Sequence, residues 1–193
     1  MTEVTISIRV ASSLDHSAVS DLLMHSYPTL LAGAYSADIL TAALPLMVKA
    51  NPVLLASGTF YVAEMLMSSS TREESASGVM VGSDGECLVI GCGGWTREAP
   101  GGASGTGEFV SDESAHIRHF ATHPHYIGRG VARKLMEKCV HEASRDGAKT
   151  LHCCSSLNAE MFYTRMGFKR VCEALVPMSS SVHFPCIMME KFL

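Results

Sequence analysis

The residues whose types and spacing could do chemistry lie in the second half of the chain. Tyr126-Ile127-Gly128-Arg129-Gly130-Val131-Ala132 follows a strand-like run and opens a run with helical spacing. Glycines at such a junction let the backbone turn tightly and keep side chains out of a ligand's way. The unpaired N–H groups of the helix's first turn then face that ligand, and the helix dipole favours an anion such as a pyrophosphate. Two other phosphate-binding turns fail on the letters. A P-loop ends in Gly-Lys-Ser/Thr, which is absent. A dinucleotide fingerprint needs a third small residue where Arg133 stands, and it follows a first strand rather than lying two-thirds along the chain.

A second segment, Asn158 to Phe168, contains Phe162-Tyr163 followed by Gly167-Phe168. Tyr163 there offers a phenol that could act as an acid, or could simply fill a core. A dense set of histidines (His116, His119, His123, His125) and the run His152-Cys153-Cys154 raise the question of a metal. Strand alternation places 116 and 119 on opposite faces, and likewise 153 and 154. No pair lies on a helix at the i, i+4 spacing of helical ligands, since 115–123 reads as a strand and its end, so no metal site is expected.

Taken together, the two segments resemble the GNAT superfamily of N-acetyltransferases. That family's pyrophosphate loop reads Q/R-x-x-G-x-G/A after a strand that ends in an apolar residue and Pro. Gly130 and Ala132 match its small positions, Pro124 falls at the strand end, and Gly128-Arg129-Gly130 matches a common spelling of the helix start. Ile127 departs from the usual Gln or Arg, on a loop that holds phosphate mostly through backbone N–H groups. The resemblance implies an acetyl-CoA site formed by Ile127, Gly128, Arg129, Gly130, Val131, Ala132 and Arg133. Backbone groups of Phe120, Ala121 and Thr122 would hold the pantetheine, with Asn158 beside it. It implies that Tyr163 protonates the leaving thiolate and that no metal takes part.

The reaction implied is attack of a neutral primary amine, on a small molecule or a peptide, at the thioester carbonyl. It needs a base, backbone donors for the oxyanion and an acid for sulfur. His116, on the strand where many relatives carry Glu, is the base candidate, and an unperturbed imidazole suits neutral pH. A water chain to bulk is the alternative, and Glu113 and His119 are nearby. By alternation, residues 116, 118, 120 and 122 share one face of the strand, and 117, 119 and 121 the other. A module that binds acyl-CoA without turning it over is the competing reading; a hydroxyl acceptor or a longer acyl chain also stays open. Asp15, Asp21, Asp38 and Glu64 are the acidic candidates for greeting a cationic acceptor.

These residues need an α/β scaffold to position them. The expected elements are a strand over 4–10, a helix over 15–26 broken at Pro28, and a helix over 37–50. A hairpin of 59–65 with 86–95 follows, then strands at 115–122 and 150–156, each leading into a helix, and closing strands at 170–176 and 186–193. That is a single domain over 1–193, GNAT-like, with a mixed, mostly antiparallel central sheet, splayed strands and flanking helices. Residues 66–86, with a short strand at 79–81, read as a flexible insertion and 99–107 as a flexible loop.

With 193 residues, 47% of them hydrophobic, the chain can bury a sizeable core, and its net charge of −4 is scattered. No basic block suggests nucleic acid as a partner. No span or secretory leader is visible, and seven cysteines without CxxC spacing suit buried free thiols, so a cytoplasmic protein away from membranes is expected. A homodimer through the last strand would cover an exposed sheet edge.

Overall fold

In the computed structural model, which describes residues 5–66, 87–100 and 112–193, alternating residues form a first strand, β1 (Ile6–Val10). A capping box on Ser12 and Asp15 starts the next element, with the Ser12 N–H donating to Asp15 Oδ2 at 2.7 Å. Helix α1 (His16–Leu31) follows, then α2 (Ala37–Met47). Helix α1 does not stop at Pro28 as the sequence suggests. A proline inside a helix costs about 3 kcal/mol. Here the turn beyond it buries Leu31 in a cluster with Tyr35, Ala43 and Phe184, worth roughly 2 kcal/mol for the leucine alone, and the Thr29 hydroxyl donates to the His25 carbonyl at 2.8 Å. Asn51 likewise does more than end α2. Its side chain accepts from the Val53 N–H and Pro52 occupies the first position of a one-turn helix, α3 (Pro52–Leu55), which the sequence reading missed.

Strands β2 (Phe60–Leu66) and β3 (Cys87–Thr96) pair antiparallel, as expected for a hairpin. The proposed strand at 79–81 and most of the stretches 66–86 and 99–107 lie outside the described residues. Then come β4 (Ser114–Thr122), α4 (Val131–Arg145), β5 (Thr150–Ser155), α5 (Glu160–Arg165), β6 (Lys169–Pro177) and β7 (His183–Phe192). The seven strands form one sheet in the order β1-β2-β3-β4-β5-β7-β6. Every neighbouring pair is antiparallel except β4 and β5, which run parallel for three residue pairs only, Ser114↔Thr150 to His116↔His152.

The two faces of the sheet are covered separately. Val131, Leu135, Met136, Cys139 and Ala143 of α4 pack at helical spacing against Ile90, Ala115, Ile117 and Leu151. On the other face Val19, Leu22 and Leu23 of α1 meet Val62, Cys92 and Ala121. All seven cysteines are free; Cys92, Cys139, Cys153 and Cys186 are buried, but Cys87 and Cys172 are exposed, which departs from the expectation of buried thiols. Among the described residues no helix is long and apolar enough to cross a membrane.

Candidate functional site

The site is built where β4 leaves β5. Beyond His116, β4 pairs only with β3, so the edge of Ile117–Thr122 that would face β5 has no strand partner. Within the same stretch β4 carries a bulge. Arg118 stands opposite Gly94 and Ala121 opposite Cys92, which leaves His119 and Phe120 both opposite Gly93. His119 takes the left-handed conformation, φ 46°, that accommodates the extra residue. Gly93 is required beside it, because a Cβ there would come within 2.5 Å of the Phe120 ring.

The strands diverge around a cavity of about 470 Å³. One wall consists of Phe120, Ala121 and Thr122 of β4, Ala132 of α4, and Asn158, Phe162 and Tyr163. The opposite wall comes from α1 (Ser26, Tyr27, Leu30, Leu31), Met47, and the β6–β7 end (Val176 to Met178, Phe184, Cys186). Cys153, Cys154 and Ser156 of the β5 end lie in its floor, with Arg118 and His119 contributed by the bulged strand. The Ser26 hydroxyl donates to the Thr122 carbonyl at 3.0 Å and ties α1 to the strand edge.

Just before Ala132 in the chain, Gly128 and Gly130 both adopt left-handed φ, +78° and +81°, and a Cβ at either would meet nothing within 4 Å. This is the open backbone turn that the spacing suggested. The first intrahelical bond of α4 is Lys134 N–H to the Gly130 carbonyl, so the N–H groups of Val131, Ala132 and Arg133 have no partner within the helix. Val131 anchors the turn by burying its side chain, while Ile127 is 53% exposed and builds nothing inside the protein. Arg129 lies over the Tyr126 ring, 5.2 Å from its centre, and Arg133 pairs with Glu137 at 2.8 Å. Two guanidinium groups thus flank a helix start whose dipole already favours an anion. Such a turn leaves open space at both glycines and presents unpaired N–H groups suited to an anion.

Tyr163 is 6% exposed among the rings of Phe162 and Phe168, at 5.2 and 5.4 Å. Burial raises its pKa well above the ordinary value, so its hydroxyl stays protonated and remains a donor. Asn158 lines the cavity and donates through Nδ2 to the Leu30 carbonyl at 2.9 Å, joining the two walls.

The structure does not bring every candidate together. His116 is buried, 3% exposed, its ring 5.4 Å from that of His152 at the closed end of the fork, and it does not line the cavity. Burial, then His152 and Arg118, push its pKa down to about 4. The imidazole that lines the cavity is His119, also brought down to about 4 by burial. Strict alternation had put Phe120 with His116 and Ala121 with Ile117. The bulge reverses this: Ile117 and Phe120 join the α4 core, and Ala121 joins the α1 core.

The acidic candidates fare no better. Asp15 and Glu64 each bond Arg9 at 2.6 Å, and neither they nor Asp21 nor Asp38 line the cavity. Glu113 is an exposed residue before β4 whose carbonyl accepts from Lys149 N–H at 2.8 Å. Arg118, which sequence reasoning passed over, does line it; an arginine inside a strand was the available signal. Among the described residues no three His, Cys, Asp or Glu side chains are grouped to hold a metal ion.

Residues 96–190 match the family model described as an acetyltransferase (GNAT) domain. The whole chain is similar to solved structures at low sequence identity. A GCN5-related N-acetyltransferase from Rhodopseudomonas palustris is 20% identical with a TM-score of 0.65, covering 100% of this chain and 99% of its own. The PaiA N-acetyltransferase from Thermoplasma acidophilum, solved in complex with coenzyme A, is 14% identical with a TM-score of 0.63 over 98% of this chain and 99% of its own. A mosquito arylalkylamine N-acetyltransferase-like protein is 14% identical with a TM-score of 0.59 over 98% and 100%. No curated protein matches the sequence. The domain matched over residues 96–190, with the sheet that forks at β4 and β5 and the open glycine turn at α4, gives the chain an acetyltransferase domain of the GNAT superfamily.

Proposed function

We propose that the protein transfers an acetyl group from acetyl-CoA to the primary amine of a small molecule or peptide. The observation that carries this reading is the open Gly128–Gly130 turn, which leads into α4, whose Ala132 lines the forked-strand cavity. Acetyl-CoA supplies an activated thioester. The N–H groups of Val131, Ala132 and Arg133, with Gly128 and Arg129 beside them, bind its pyrophosphate, and Ile127 contributes backbone alone. The unpaired edge of Phe120, Ala121 and Thr122 holds the pantetheine by backbone hydrogen bonds and positions the thioester carbonyl. Asn158 keeps the far wall against α1 while the arm is bound. Coenzyme A in the Thermoplasma acidophilum relative supports the same ligand here.

As the amine nitrogen bonds to carbon and the carbon–sulfur bond breaks, the Tyr163 hydroxyl meets the departing sulfur. Its raised pKa means that it donates a hydrogen bond at any physiological pH, and the proton that finally neutralises the thiolate derives from the amine. The histidines are poor bases for that amine, since a pKa of about 4 leaves them neutral but weakly basic. The amine proton therefore passes to water, which returns an equivalent proton to the thiolate. The test is Tyr163→Phe. Turnover with an amine panel should fall roughly a hundredfold, the lower end of acid–base effects, with acetyl-CoA affinity intact. Unchanged turnover would remove Tyr163 from the mechanism.

A further inference from the structure

Arg118 is the charged side chain in the cavity wall that the reaction above leaves unused. Of the described arginines, Arg97 and Arg118 are the two not classed with the exposed surface. Arg97 has its acidic partner, Asp146, at 2.8 Å. Arg118 has no carboxylate within 4 Å among the described residues. One terminal nitrogen donates to two uncharged acceptors, Thr96 Oγ1 at 2.9 Å and the Glu98 carbonyl at 3.3 Å. These bonds fix the guanidinium plane and leave the rest of its fork without a protein acceptor among the described residues. Burial disfavours its charged form, and the more distant Glu98 and Cys154 offset this only in part, neither of them forming an ion pair with it.

The surroundings specify what would complete it. Among the described residues no Asp or Glu lines the cavity, so a purely cationic acceptor finds no partner there. A guanidinium fork matches a carboxylate in shape and charge. The wall formed by α1 and the β6–β7 end is mostly apolar, with Tyr27, Leu30, Leu31, Met178 and Phe184. We infer that Arg118 is the carboxylate-binding residue of the acceptor site, and that the acceptor is an amine carrying both a carboxylate and an apolar body, as apolar amino acids do. This rests on the acetyltransfer reading and adds its substrate class.

The test uses product pairs that differ only in the carboxylate, so that it does not depend on turnover. N-acetylphenylalanine is compared with N-phenethylacetamide, and N-acetylleucine with N-isopentylacetamide, by calorimetric titration of the whole protein in the presence of coenzyme A. The acid of at least one pair should bind about tenfold or more tighter than its neutral partner, the range of charged hydrogen bonds. Arg118→Gln should erase that preference in a protein of unchanged melting temperature. Arg118→Lys, which keeps the charge and loses the fork, should keep part of it and serves should the glutamine variant not fold.

Acid and neutral partners equal in both pairs, weak or absent binding included, would overturn the inference on the wild type alone. So would a preference that survives Arg118→Gln. Acetyl-CoA titrated into the same samples separates the two levels: failure to bind it overturns the acetyltransfer reading, while intact binding without a carboxylate preference overturns only the role of Arg118.

Discussion

The two walls of the cavity are made in different ways. The donor wall is mostly backbone: a glycine turn, the first turn of α4 and the free edge of a bulged strand, all within Phe120–Arg133. The acceptor wall is side chains gathered from α1, the end of α2, and the β6–β7 end, more than a hundred residues apart in sequence. A wall made of main-chain groups depends on local geometry and tolerates side-chain change, as Ile127 illustrates. A wall made of distant side chains depends on how whole elements pack, and it can be respecified one residue at a time. On the proposed reading, the difference teaches that acetyl-CoA and the acceptor are recognised by separate physical means.

Changing the turn should have the largest effect. Gly130→Val forces a β-branched residue into left-handed backbone, at about 1–2 kcal/mol of strain, and should disturb backbone bonds worth about 1 kcal/mol each. Acetyl-CoA affinity, measured by titration, should fall roughly a hundredfold, while product binding to the acceptor wall is preserved. Gly130→Asn tolerates the same φ and should lose about tenfold, from the added Cβ alone. If both variants bind acetyl-CoA normally, the donor wall lies elsewhere.

Next in size is an acid effect at the fork between the walls. His116 is neutral when folded, with its pKa at about 4 against 6.5 when unfolded. Its contribution is therefore complete above about pH 6.5 and is lost as pH falls towards 4. After allowance for solvent screening, wild type should lose roughly 2 kcal/mol over that window through this residue. Denaturant melts of wild type and His116→Asn across it check the sign: the variant should show the shallower acid decline. Equal slopes would mean that His116 is protonated without cost.

The smallest expected effect concerns the link between the walls. Asn158→Ala removes the bond to Leu30, worth about 1 kcal/mol, and should lower the melting temperature by about 2–4 °C. Both acetyl-CoA and product should bind a few-fold more weakly. A change confined to one ligand would show that the walls are independent.

The glycine turn and the start of α4 were legible in the sequence because their residues are consecutive. Gly128 and Gly130 signal their backbone conformation by type, and the apolar spacing from Val131 onward announces the helix. Phe120 escaped correct placement because the bulge residue is His119, a histidine with no local mark of its left-handed φ, so alternation was carried one residue too far. His116 is the base candidate by its place on the strand, but the fork opens only beyond it, which leaves His116 at the closed end and Arg118 in the cavity. Helix α1 was cut short at Pro28 because the favourable term, burial of Leu31 against Tyr35 and Phe184, comes from a contact with β7 that no local pattern shows. Asp15 and Glu64 carry no local sign of being engaged, because their common partner, Arg9, reaches Glu64 only through the pairing of β1 with β2.

The measurement that tests the central claim most directly is calorimetric titration of the protein with acetyl-CoA, with NAD and ATP as controls. The glycine turn and forked strands predict saturable binding of acetyl-CoA in the micromolar range and neither control matching it. No binding of acetyl-CoA at millimolar concentration, or equal binding of all three, would contradict the assignment of the cavity as an acetyl-donor site.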